Sequence, residues 1–187
     1  DLYREMGELP GQARVLNNLG VDYYYQGNWQ RAKEYYHQSL EIREKIGDIN
    51  GAATVSNNLG EVLSDQGYLD DAIESFSRCF KTWERIGYSL GVGLSQSNLG
   101  RAYMRKGEFE KAVNYLQTSR ELFEHLRAKG FLAEVYQRLA EAYLGQTQLE
   151  KTLECAERAL DLAIEQKMLL VEGAVRAAGG MGGIADE

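Results

Sequence analysis

Proline is almost absent: Pro10 is the only one in 187 residues. Proline breaks helix interiors and is frequent in β-sandwich turns, so its scarcity permits long helices and argues against a turn-rich β fold. Cysteine is equally scarce. Cys79 and Cys155 cannot build a disulfide framework or a four-ligand zinc site. The only histidines, His37 and His125, lie far apart and offer little for metal or triad chemistry. No catalytic site, metal or cofactor is expected. No apolar run approaches the roughly 18–20 residues of a membrane span. No signal peptide is visible, and a cytoplasmic location is expected. Basic charge is in deficit: 21 Lys+Arg stand against 28 Asp+Glu, a net charge of −7. A chain that mainly holds nucleic acid needs the opposite balance. Apolar residues at 44% and charged residues at 26% indicate a folded chain rather than a disordered one. The chain opens Asp1-Leu2-Tyr3 and is expected to be a piece of a longer array.

What is present is repetition. Segments 11–50, 51–90, 91–130 and 131–170 superpose without a gap at a period of 40. Leu19, Leu59, Leu99 and Leu139 share a column, followed by Gly20, Gly60, Gly100 and Ala140. Tyr23, Leu63, Tyr103 and Tyr143 come next, then Gly27, Gly67, Gly107 and Thr147. Ala32, Ala72, Ala112 and Thr152 lead to Tyr36, Phe76, Leu116 and Ala156. Such register in four blocks marks a solenoid or array. Residues 1–10 match 41–50 and read as the tail of a truncated preceding repeat. Residues 171–187 read as the start of a degenerate fifth repeat or a frayed tail, with a separate helix fraying after about Ala178 under four glycines in 179–183.

Each repeat reads as two helices. Leu16, Leu19, Gly20 and Tyr23 form one helical face. Gly27 ends that helix and Asn28 caps the next, whose apolar face is Ala32, Tyr36, Ser39, Leu40 and Ile46. First helices are expected near 12–26, 52–66, 92–106 and 131–145, and second helices near 29–46, 69–86, 109–127 and 149–167. The small residues at 20, 32, 60, 72, 100 and 112 mark places where two helices must approach closely.

The pattern Leu-Gly-x-x-Tyr, then Gly, then Ala-x-x-x-aromatic resembles the tetratricopeptide repeat, whose usual period is about 34 residues. The period of 40, with phrases such as Asn57-Asn58-Leu59-Gly60 and Ile46-Gly47-Asp48, is similar to the LGN/Pins, kinesin light chain and bacterial MalT-like class. The extra residues are expected to lengthen both the helices and the connection Gly47–Gly51. The resemblance implies an all-α, right-handed superhelix of antiparallel helix pairs. First helices would line a concave groove, and that groove would be the binding surface.

Helical spacing in the first repeat then turns Arg14, Asn17, Asn18, Val21 and Tyr25 toward the groove. Asn17, Asn57, Ser97 and Gln137 form one polar column, and Asn18, Asn58, Asn98 and Arg138 the next. An Asn amide both donates and accepts, so a ladder of them can hold the backbone of an extended peptide. The resemblance to long superhelical arrays assigns Asn18, Asn58 and Asn98 that role. The alternative is that they bond the neighbouring helix and fix stacking. Arg101, Arg105 and Arg138 form a candidate receptor for carboxylate or phosphate, unless Arg101 and Arg105 pair with Glu61, Asp65, Glu134 or Glu141 across the groove. The candidate partner-binding residues are therefore Asn17, Asn18, Asn57, Asn58, Asn98, Arg101, Arg105, Arg138, Tyr25 and Glu61.

The Lys/Asn clamp of chaperone-binding arrays is not matched in either register. Cys79 reads as a core filler, and His37 and His125 as solvated residues of second helices. The function expected is a protein–protein interaction module that binds a peptide segment with acidic residues, as a scaffold or regulatory part of a larger signalling protein. The alternative is a small-ligand-sensing array, for which Tyr24, Tyr25 and Trp29 are the candidate aromatic wall. Self-association through the truncated ends is also expected.

Overall fold

Helices begin at intervals of twenty residues throughout the computed structural model, which describes residues 8–181 and side chains from 8 to 168. They are α1 (Leu9–Tyr25), α2 (Trp29–Lys45), α3 (Ile49–Asp65), α4 (Leu69–Arg85), α5 (Ser89–Arg105), α6 (Phe109–His125), α7 (Lys129–Gly145) and α8 (Leu149–Met181). No strand occurs among the described residues. The first seven residues of the expected 1–10 tail lie outside the described range, as do 182–187.

The first seven helices each have 17 residues, and three residues separate each from the next. The turns within and between pairs are thus the same length. The connection expected to be lengthened at Gly47–Gly51 is only Ile46-Gly47-Asp48, and all the extra residues of the 40-residue period are helical. The first helices start two or three residues before their expected positions for the same reason. Gly51 and Gly91 sit inside the first turn rather than before it. A Cβ on Gly51 would meet the Arg43 guanidinium, and one on Gly91 would meet the Trp83 ring at 2.3 Å. These glycines admit a neighbour's side chain; they do not break the helix.

Helix ends are set by one local device. Gly27, Gly47, Gly67, Gly87 and Gly107 have φ between 70° and 89°, the left-handed region that costs glycine nothing. In each turn the left-handed residue donates its N–H to the carbonyl three back, and the next residue donates to the carbonyl five back, as in Gly27 to Tyr24 and Asn28 to Tyr23, both 2.9 Å. This satisfies carbonyls that the helix leaves open. The last two turns use Arg127 (φ 53°) and Thr147 (φ 59°) instead. At the next position in the series, Lys167, no turn forms. The helix expected to end at 167 continues to Met181, and among the described residues there is no separate fifth first helix.

Packing within a pair follows the columns. A Cβ on Gly20 would lie 2.5 Å from the Tyr36 ring, on Gly60 2.7 Å from Phe76, and on Gly100 2.6 Å from Leu116. Where position 156 shrinks to Ala, position 140 has room for Ala. Ser39, Cys79 and Ser119 bond the carbonyls of Ala13, Ala53 and Gly93 at 2.7, 3.4 and 2.8 Å. Each is a second-helix side chain held to its own first helix. Cys79 is buried, and burial pushes its thiol up to about 12.

Curvature comes from a difference between the two layers. First helices of successive repeats, α1 with α3, α3 with α5 and α5 with α7, approach one another directly. Second helices of successive repeats do not. The first-helix side is therefore the inner, concave one. No described helix is long and apolar enough to cross a membrane.

Candidate functional site

The inner face is built by residues spaced one more than the repeat period. Asn58 Nδ2 donates to Asn17 Oδ1 at 3.1 Å, Asn98 Nδ2 to Asn57 Oδ1 at 3.2 Å, and an Arg138 N–H to Ser97 Oγ at 2.8 Å. Each bond joins residues 41 apart, so the two polar columns of the sequence bond to each other across every first-helix seam. Asn57, Ser97 and Asn98 are buried. A second set of rungs lies one heptad further along. Tyr24 Oη donates to Asp65 at 2.6 Å, and Arg105 donates to the Ser64 carbonyl and hydroxyl.

Asp65 gathers donors from the repeats on either side of its own: Tyr24 on α1, and Arg101 and Arg105 on α5, the last at 3.1 Å. Burial, with the Asp65 bond and the charges of Asp65 and Glu61, pushes the Tyr24 hydroxyl up to about 12 against the opposing Arg101. Arg138 pairs with Glu134 and also donates to Asn98 Oδ1 at 3.2 Å. Burial lowers its ordinarily very high pKa, and Glu134 opposes this. Glu61 accepts from Asn98 at 2.9 Å and from Asn57 at 3.4 Å. Desolvation raises its carboxyl above the usual range; the Asn98 bond, Arg138 and Arg101 pull it back, and Glu134 adds to the rise.

Between these rungs lies a cavity of about 590 Å³. Tyr24 and Tyr25 of α1, Glu61 of α3, a row of α5 from Leu94 to Arg105, Phe123 of α6, and α7 from Phe131 to Glu141 line it. Six of the ten candidate residues border it: Tyr25, Glu61, Asn98, Arg101, Arg105 and Arg138. Asn17, Asn57 and Asn58 do not, and their amides are engaged in the ladder, the arrangement the stacking alternative describes. Asn18 is exposed and also lies outside the cavity. Arg101 and Arg105 are paired with Asp65, as in the alternative to anion recognition, and Arg138 is paired with Glu134. Trp29 packs into the core beside Tyr23 and Tyr24, which leaves the expected aromatic wall without one of its three members. His37 and His125 are exposed on second helices. No group of three or more His, Cys, Asp or Glu that could hold a metal occurs among the described residues.

The apolar floor, Met104, Phe123, Phe131 and Val135, was not among the candidates. Part of its signal was readable: the column Gly11, Gly51, Gly91 changes to Phe131 in the fourth repeat. Phe131 stacks on Phe123 with ring centroids 5.0 Å apart.

Models of the tetratricopeptide repeat match residues 1–45, 11–85 and 51–125, and a second such model matches 133–163. No curated protein sequence matches the chain. Among solved structures, the chain is similar to BtubC (BKLC) from P. vanneervenii, at 19% identity and a TM-score of 0.69 over 83% of this chain and 64% of that one. A Rap protein complexed with competence and sporulation factor is similar at 17% identity and a TM-score of 0.78, over 84% and 44%. A putative kinesin light chain from Podosopora anserina is similar at 23% identity and a TM-score of 0.66, over 84% and 77%. The chain thus spans less than two thirds of the first two structures. At these identities the likeness concerns the fold, an all-α right-handed solenoid. With its columns, its turns and the matched models in agreement, the chain belongs to the tetratricopeptide repeat family.

Proposed function

We propose that the chain is a protein–protein interaction module that binds a peptide segment of a partner in its concave groove, as a scaffold or regulatory part of a larger signalling protein. The observation that carries this reading is the 590 Å³ cavity, bordered by first helices of all four repeats. A stacked array presents such a surface to an extended or helical segment. The similar Rap structure holds a bound factor, which supports a fold that houses a partner. Tyr25, Glu61, Arg101, Arg105 and Arg138 border the cavity in which that partner would lie, while Asn17, Asn57 and Asn58 serve the stacking of repeats.

A displayed library of random dodecapeptides, selected on the chain, tests this. Gln137 borders the cavity and is exposed, bonding only Glu141. Gln137→Trp should therefore obstruct the groove without disturbing the core. Selected peptides should bind Gln137→Trp at least about tenfold more weakly, a loss of one good contact's worth. They should bind His37→Trp, on the outer layer, as well as the native chain. An empty selection, or equal binding to both variants, would sink the reading.

A further inference from the structure

We infer that the groove selects a basic partner segment, with a lysine or arginine side chain seated on the Glu61 carboxylate and apolar neighbours against the floor. This rests on the proposed reading of the groove as the partner site, and it reverses the acidic partner that three arginines alone suggested.

Pairing within the groove is the reason. Arg101 and Arg105 share Asp65, and Arg138 is held by Glu134, Ser97 and Asn98. An incoming carboxylate must displace one of these acceptors before it gains a guanidinium. Two carboxylates of the cavity, Glu61 and Glu141, are not so engaged. Glu61 accepts only from the neutral amides of Asn57 and Asn98, and among the described residues no Lys or Arg nitrogen lies within salt-bridge distance of it. Glu141, in the same column two repeats on, accepts only from Gln137 at 3.1 Å. Asp65, beside the cavity, and Glu134 take up the three guanidiniums, which leaves Glu61 and Glu141 of the lining without a direct cationic partner among the described residues.

A cation entering here breaks no ion pair, although the charges of Arg101 and Arg138 also act on Glu61. It gains Glu61 in a partly desolvated setting, where a charge-assisted bond is stronger than in open water. Tyr25 borders the same cavity with 82% of its surface exposed, and the Tyr24 ring packs edge-on against it at 5.5 Å. An exposed aromatic face is a second attraction for lysine or arginine. Leu94, Met104 and Val135 supply apolar contact for the residues on either side.

The dodecapeptide selection distinguishes the outcomes. Lys and Arg should be enriched over the starting library in peptides that Gln137→Trp rejects. Peptides carrying them should bind Glu61→Gln about tenfold more weakly, the loss of one charge-assisted bond. A far-ultraviolet dichroism spectrum and a urea midpoint like those of the native chain should show that Glu61→Gln is folded. Enrichment of Asp and Glu, or an undiminished basic preference in Glu61→Gln, would overturn the inference. Groove-dependent peptides without basic enrichment would sink this inference and leave the binding reading standing; an empty selection would sink the binding reading first.

Discussion

The middle of the array, α3 to α6, and its closing pair, α7 and α8, share a helix-turn-helix geometry but differ in how their helices interlock. In the middle, Gly60 and Gly100 admit Phe76 and Leu116, Cys79 and Ser119 reach carbonyls of the preceding first helix, and glycines hold the left-handed turns. In the closing pair Ala140 faces Ala156, Ala159 replaces the hydroxyl or thiol, and Arg127 and Thr147 stand at left-handed φ. Leu99 is 2% exposed, whereas Leu149, Leu153, Leu160 and Ile164 are at least half exposed. The repeat consensus is therefore mostly a set of joints between helices. Helix formation itself survives where the joints are lost.

Truncation at the two sites should separate these regions most clearly. Leu99→Ala should cost about 2–5 kcal/mol in urea melts by opening a cavity between stacked helices. Leu160→Ala should stay within about 0.5 kcal/mol. Equal costs would erase the distinction.

Overpacking gives the next largest effect. Gly60→Ala should cost about 1–3 kcal/mol, because its Cβ must push the Phe76 ring aside, while Ala140→Gly should cost only the helix propensity, about 1 kcal/mol. Thermal unfolding of the two variants tests the order.

The polar ladder comes third. Asn98→Ala removes the partner of Asn57, Glu61 and Arg138 and should cost about 1–3 kcal/mol. Asn18→Ala, exposed at the first repeat, should cost almost nothing in the same denaturant series.

A gain is expected at the closing pair. Arg127→Gly should add about 1 kcal/mol by relieving a left-handed residue, measured as a raised urea midpoint. Gly107→Ala, in the middle, should show the opposite sign.

The smallest effect is on pH dependence, because three groups oppose the desolvation of Glu61. Its folded pKa lies above the unfolded one, so the folded state binds the proton more tightly. Its contribution favours folding below the ordinary carboxylate range and is lost as pH rises from there through the folded value. Subtracting melts of Glu61→Gln from those of the native chain across that window should leave a downward slope. A flat difference would place Glu61 in ordinary solvent.

Much of this was legible in the sequence. The Gly20/Tyr36 and Gly60/Phe76 complementarity stands in the columns, since a missing Cβ and a ring recur at a fixed spacing. The polar columns at 17 and 18 were also visible. That they bond each other at an offset of 41 was not, because the offset depends on the rotation between successive repeats. The arginines were placed on the correct face, but their pairing with Asp65 and Glu134 depends on how closely α3, α5 and α7 approach. The long α8 was hidden for another reason: Arg127 and Thr147 turn without glycine and Lys167 does not, so residue type at that column does not decide the break. The first two turns lie where the next helix packs back on the last.

The contact between successive first helices, with none between successive second helices, makes the array mechanically one-sided. Its inner edge is a continuous hinge line, strung by side-chain rungs; its outer edge is a row of open wedges. Bending that opens or closes those wedges leaves the rungs intact, and it is resisted by the packing of each second helix on the next first helix. Stretching the inner edge must break the rungs. The array is thus held to a fixed length along its inner edge, and any change in its curvature must come from the outer layer.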